Sequence, residues 1–157
     1  LVSAGCACLP PHGPGQGDGR YGGGAPSRQP PPIECKAGGT CTISVDVVTV
    51  IGNHAAQTYI VAPDAEIAKG NHGADGKGVA IRWHLTNHDY TFRADSIAFY
   101  ETSSTEQFKD PKAGERGEDF HFTDRNTDSH GYGYQIKVYN RSNGNWLTLD
   151  PYIWNNN

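Results

Sequence analysis

The sequence contains no methionine, and no cysteine after Cys41. It has no apolar run approaching the 18 or more residues of a membrane-spanning helix. It has no cluster of lysine and arginine of the kind that grips a phosphate backbone, and its formal net charge is only −4. Each absence excludes something. Nucleic acid is not expected as a partner, and neither is a membrane-crossing helix. The missing methionine, initiator included, reads as a processed or truncated product, so any targeting signal before Leu1 is out of view. Gly-x-Ser-x-Gly is missing too. Glu115, Glu118 and Asp119 are carboxylates in a polar stretch with no aromatic groove evident around them. Glycosidase chemistry is therefore not expected, and the chain reads as a non-enzyme with no cofactor.

Apolar residues are also scarce, at 36%, while glycine (20) and proline (10) are plentiful. Much of that glycine and proline lies in residues 1–34. This stretch has almost nothing to bury and reads as a disordered tether, Gly-rich in its middle and stiffer at Pro30-Pro31-Pro32. Its start, Leu1-Val2-Ser3-Ala4-Gly5-Cys6, is apolar, then small, then cysteine. That order resembles a bacterial lipobox, in which the cysteine is lipidated after cleavage. Ser3 stands where leucine is usual, and Cys8 is a second candidate. Cys6 is the expected lipidation site, and a lipid would anchor the chain to a membrane without spanning it.

From Cys35 the composition changes, and residues 35–157 read as one folded domain. Cys35 and Cys41 flank Gly38-Gly39, whose freedom allows a turn tight enough to bring the thiols together. A Cys35–Cys41 disulfide in an oxidising compartment is expected. Beyond it the chain alternates apolar and polar residues with the period of two that marks half-buried strands. Val79, Ile81, Trp83 and Leu85 share one side, as do Tyr132, Tyr134, Ile136 and Val138. Val48 and Val50 break the earlier alternation and suggest a bulge or a strand covered on both sides. Residues 65–69 suit one helical turn, 101–118 an exposed polar loop, and Ser142-Asn143-Gly144-Asn145 a hairpin turn. About seven or eight short strands with almost no helical periodicity predict an antiparallel β-sandwich.

The segments Ile81-Arg82-Trp83-His84-Leu85, Tyr90-Thr91-Phe92, Ile97-Ala98-Phe99, residues 122–126, Tyr134–Val138 and Leu149–Ile153 carry a resemblance. Across roughly residues 40–155 the chain is similar to uncharacterised proteobacterial envelope proteins with cupredoxin-like or immunoglobulin-like domains. The shared features are structural, so the resemblance implies a fold and an envelope address but no activity. Copper-binding cupredoxins use a late Cys, His and Met cluster. With no methionine and no cysteine after Cys41, a blue-copper centre is excluded here.

Three sets of residues invite a ligand. Asp124, Asn126 and Asp128 alternate like the first ligands of a calcium loop, but Ser129 and Gln135 stand where such a loop needs glycine and glutamate. The plainer expectation is a turn, since these side chains bond their own backbone, with Tyr134 acting as a tyrosine corner. His84, His88, His121 and His130 are candidate transition-metal ligands if their loops converge. Trp146, Trp154 and Tyr152 are candidate glycan-stacking residues. The overall expectation is a non-catalytic binding or structural domain of the cell envelope, lipid-anchored and facing an envelope protein partner through loops 101–118 and 123–131. A periplasmic metal-binding protein and a glycan-binding module are the alternatives.

Overall fold

A computed structural model describes residues 30–36, 39–52, 55–73 and 76–156. In chain order its elements are β1 (Ile33–Cys35), β2 (Cys41–Ile51), β3 (Ala56–Val61), β4 (Ala65–Ile67), β5 (Val79–Leu85), β6 (Tyr90–Thr91) and β7 (Ile97–Phe99). A single helical turn, α1 (Ser104–Gln107), follows, then β8 (Phe108–Ala113), β9 (Asp119–Asp124), β10 (Gly131–Asn140), β11 (Trp146–Leu149) and β12 (Tyr152–Asn155). The first sheet runs β1-β4-β12-β10-β11, with β6 and β7 also on β10; the second runs β3-β2-β5-β9-β8.

The inward rows follow from the alternation in the sequence. Val79, Ile81, Trp83 and Leu85 of β5 are fully buried, as are Tyr134, Ile136 and Val138 of β10. The sheets meet through aromatic rings: Trp83 of the second sheet stands edge-on to Tyr134 of the first at 5.5 Å, and within the second sheet Trp83 is edge-on to Phe122 at 5.9 Å. Phe99 of the first sheet stacks on Phe108 of the second, 3.8 Å between centroids. Such offset and edge-on pairs add to the apolar area they bury. The Cys35–Cys41 disulfide forms, with 5.0 Å between Cα atoms, and ties β1 of the first sheet to β2 of the second.

The fold is all-β and sandwich-like, but it is not antiparallel throughout. The pairs β1–β4, β4–β12 and β2–β5 are parallel. The reason is the route between β2 and β5. The chain turns back as β3, crosses to the first sheet as β4, and returns to lie alongside β2 in the same direction. Parallel neighbours need a long crossover of this kind.

Three local expectations also change. Residues 65–67 form β4 rather than a helical turn, because Ala65 and Ile67 are both buried at a spacing of two. Residues 101–118 are not one exposed loop. They hold α1 and β8, and Phe108 is buried. Pro111 is accommodated by a register shift between Lys109 and Lys112, with Asp110 at φ 56°, since proline cannot donate to a ladder. Near Val48 neither a bulge nor a strand covered on both sides forms: β2 is unbroken, Val50 is exposed, and the Asp46–Ile51 half pairs with β3 alone. The first strand, β1, begins at Ile33. Cys6, with the rest of residues 1–29, lies outside the described residues.

Candidate functional site

Two places on the sandwich concentrate chemistry. The first is the outer face of the first sheet. In β12, Ile153 points inward, so Tyr152 and Trp154 point outward, and their cross-strand partners on β10 are Gly133 and Gly131. A side chain at Gly131 would strike three atoms of the Trp154 ring at 2.5, 2.6 and 2.8 Å. The indole therefore lies flat across the bare strand. At Gly133, an added Cβ would meet both Tyr100 and Tyr152 at 3.3 Å. The Tyr152 and Trp154 rings are 6.1 Å apart and within 21° of parallel. Trp154 is 39% exposed and Tyr100 58%. Tyr100 donates its hydroxyl to Asp150. The result is a plate of three aromatic side chains laid over two glycines.

Trp146 is on the same face but at the other end of β10, opposite Tyr139. Eight residues separate it from the Trp154 position, roughly 26 Å along a strand. Its surroundings differ too. The Arg93 guanidinium lies 3.5 Å from the Tyr139 ring centroid and 5.6 Å from that of Trp146, and the Lys137 ammonium is 5.3 Å from Trp146. Tyr152 and Trp154 thus form one unit, and Trp146 belongs to a separate cationic one.

The second place is one end of the sandwich interior. Phe120, Phe122 and Asp124 occupy successive inward positions of β9, and Ile153 and Asn155 do the same in β12. Where each apolar row would continue, a polar residue stands. Asp124 Oδ1 accepts from the Asn126 backbone N–H at 2.9 Å and from Asn155 Nδ2 at 3.3 Å. Asn155 Nδ2 also reaches Asp128 Oδ1 at 3.3 Å. Asp128 Oδ2 accepts from Gln107 Nε2 at 3.0 Å and from the Tyr132 hydroxyl at 2.6 Å. Asn126, at φ 46°, donates Nδ2 to the carbonyls of Ala68 and Asn71. Burial pushes the Asp124 carboxyl up to about 6, against which its hydrogen bonds from Asn126 and Asn155 act, while the Asp128 charge adds to the rise. Burial, with the bond to Asp128, raises the Tyr132 phenol well above its usual value.

The expected turn therefore exists, with a different tyrosine. Tyr132, not Tyr134, ties strand to loop. The Tyr134 hydroxyl faces the core, where it accepts from Trp83 Nε1 at 3.1 Å. Gln135, in the last ligand position of a calcium-loop register, pairs with Ala98 within the first sheet.

The histidines are distributed. His84 Nδ1 sits 2.8 Å from Asp119 Oδ1, which also accepts from Arg82 Nε at 2.7 Å. The Arg82 guanidinium beside Asp119 holds that carboxyl below the usual range. His121 lies opposite Arg82, so β5 and β9 do bring His84 and His121 to one face, with arginine between them. His88 pairs with Glu118 and His130 with Glu101. Among the described residues no group of three or more His, Cys, Asp or Glu side chains is placed to hold a metal ion.

An open cleft of about 500 Å³ is lined by Asp46, Val47, Val48, Thr86, Asn87, His88 and Asp89. Among the described residues no helix is long and apolar enough to cross a membrane. No protein-family model matches this chain, and no curated protein matches it either.

Sequence reading missed Asn155, Gln107 and Tyr132 as site residues. For Asn155 a signal was present, because it falls two residues after Ile153 on what alternation makes the inward side. Gln107 carried no such signal, since it lies in a stretch without regular alternation.

Proposed function

We propose that this domain is a non-catalytic glycan-binding module of the cell envelope, which presents the outer face of its first sheet to an extended polysaccharide. The observation that carries the reading is the Tyr152–Trp154 plate over Gly131 and Gly133. A pyranose ring offers a flat face of C–H groups, which gains dispersion energy against an aromatic face and leaves its hydroxyls at the rim for polar partners. Asp150, beside Tyr100, and Gln135, on β10, are such partners at the edge of the plate. A nearly flat, open surface suits a long chain ligand better than a small molecule, which binds in concave pockets. Loops 101–118 and 123–131 are weaker candidates for a protein partner, because β8 occupies part of the first and Asp124 and Asn126 are buried.

The envelope address rests on the lipobox-like start and on the disulfide, which favours an oxidising compartment. We read the sandwich as cupredoxin-like rather than immunoglobulin-like, since parallel pairs occur in both sheets, whereas immunoglobulin sheets are antiparallel.

The test is co-sedimentation of the full chain with insoluble cellulose, chitin and peptidoglycan. Depletion from the supernatant by at least one of them, weakened tenfold or more by Trp154→Ala, is the expected result. A chain that stays in solution with all three sinks the reading. For the anchor, an unmodified Cys6 in protein taken from its native membrane removes that part of the proposal.

A further inference from the structure

We propose that the polar end of the sandwich is a calcium site, with Asp124 Oδ2, Asn126 Oδ1 and Asn155 Oδ1 as its protein ligands. These three oxygens are buried and accept no hydrogen bond from the protein. Their residues are 0%, 0% and 2% exposed. A buried polar atom without a partner forfeits its solvation and is rare in a native fold. Here three of them belong to residues tied together at one place, with Asp124 Oδ1 as the hub for the Asn126 backbone N–H and for Asn155 Nδ2.

Reversing an amide does not cure the deficit. Asn126 Nδ2 donates to two carbonyls, at 3.2 and 3.0 Å, and the flipped oxygen would face both. Asn155 Nδ2 lies 3.3 Å from each of two carboxylates, and its flipped oxygen would face those. The amide orientations are therefore set by their surroundings. The neighbouring donors are spent as well: the Tyr132 hydroxyl on Asp128, and Gln107 Nε2 on Thr127 and Asp128. These oxygens call for positive charge or hydrogen, and the charge that acts on Asp124 is that of Asp128, which is negative.

One water molecule brings two hydrogens and no charge to three unpartnered oxygens, one of them a carboxylate's. A calcium ion brings the charge and accepts six to eight oxygens, from carboxylates, amides, carbonyls and water in flexible geometry. One carboxylate and two asparagine amides form an all-oxygen donor set, with the Asp128 charge beside it, which suits calcium and not zinc or copper. The arrangement is not an EF-hand, since Asn155 is contributed by a strand far from the loop in sequence. Asp124 lies on β9 of the second sheet and Asn155 on β12 of the first. A cation here clasps the two sheets at one end, next to Trp154.

The test uses the full chain stripped with EGTA and titrated with calcium chloride by calorimetry and thermal melting. One calcium ion per chain and a rise in Tm are expected, with no comparable rise from magnesium at the same concentration. Asp124→Asn removes the buried charge without changing shape. It should keep the near-ultraviolet signal of Trp83 and bind calcium at least tenfold more weakly. Asn155→Asp supplies a second carboxylate ligand and should bind more tightly than the parent. The proposal is overturned by a wild-type chain with neither heat nor Tm shift, by an equal shift with magnesium, or by unchanged affinity in both variants.

Discussion

The indole N–H of Trp83 donates to the hydroxyl of Tyr134 at 3.1 Å, from the second sheet to the first, through a fully buried layer. Trp83 has a polar atom in the centre of the core, and Tyr134 is its partner. Tyr134→Phe keeps the ring packing and removes the acceptor. A buried donor left alone costs about 1–3 kcal/mol. The unfolding free energy should fall by that amount, read as a lower denaturant midpoint with an unchanged slope. An unaltered midpoint would mean that the indole finds another partner.

The Cys35–Cys41 bridge closes a six-residue separation and joins the sheets. Restricting so short a loop in the unfolded chain stabilises the fold by about 2 kcal/mol. Replacing both cysteines with serine should lower stability by that much at neutral pH. Alkylation of the denatured, unreduced chain should label neither Cys35 nor Cys41.

In calcium-free buffer Asp124 makes stability depend on pH. Its carboxyl is raised from 3.8 to about 6 in the folded chain, first by burial. The folded state therefore holds this proton more tightly than the unfolded state does. The resulting stabilisation is complete below about pH 4 and is lost as pH rises through about 6, a change of about 3 kcal/mol. Asp119 and Asp95 act with the opposite sign, because Arg82 and Lys137 lower their carboxyls. Their stabilisation is present above about pH 4 and is lost below it. The difference between the parent and Asp124→Asn isolates the Asp124 contribution. That difference should change between pH 4 and 7 and level off outside this window. A difference independent of pH contradicts the burial of an ionisable Asp124.

Gly131 leaves room for the Trp154 ring, which an added Cβ would meet at 2.5 Å. Gly131→Ala should lift the indole off the sheet and weaken binding to polysaccharide several-fold, while the fold survives because the position is on the outer face. Intrinsic fluorescence reports the lifted ring, and co-sedimentation reports the binding. Undiminished binding by Gly131→Ala would mean that the plate is not the contact surface.

Much of the fold was legible because it rests on a period of two. The inward rows of β5 and β10 and the disulfide follow from alternation and from glycine between two cysteines. The turn at 140–145 does too, with Gly144 at φ 76°. Parallel pairing was not legible. Alternation assigns a strand its faces but says nothing of its neighbours, so β2 beside β5 depends on tertiary routing. β4 and β8 were hidden for a related reason, as three residues are too few to show a period and Pro111 interrupts the other. In the candidate sites, Tyr152 and Trp154 were legible as an outward pair. That glycine lies beneath each of them depends on the β10–β12 register, which no local pattern encodes. Asp124, Asn126 and Asp128 stood out by type, while Asn155 is brought to them from the far end of the chain.

The most direct measurement is a two-dimensional amide spectrum of the nitrogen-15-labelled chain, titrated with a soluble β-linked oligosaccharide. The three tryptophans give three indole N–H signals, from one fully buried ring and two partly exposed ones. A saturable shift of the Trp154 signal, with the Trp83 signal unmoved, is the result expected of a glycan-binding face. If Trp154 stays fixed while backbone signals elsewhere move, the ligand binds at another surface. If nothing moves at millimolar oligosaccharide, glycan recognition by this face is contradicted.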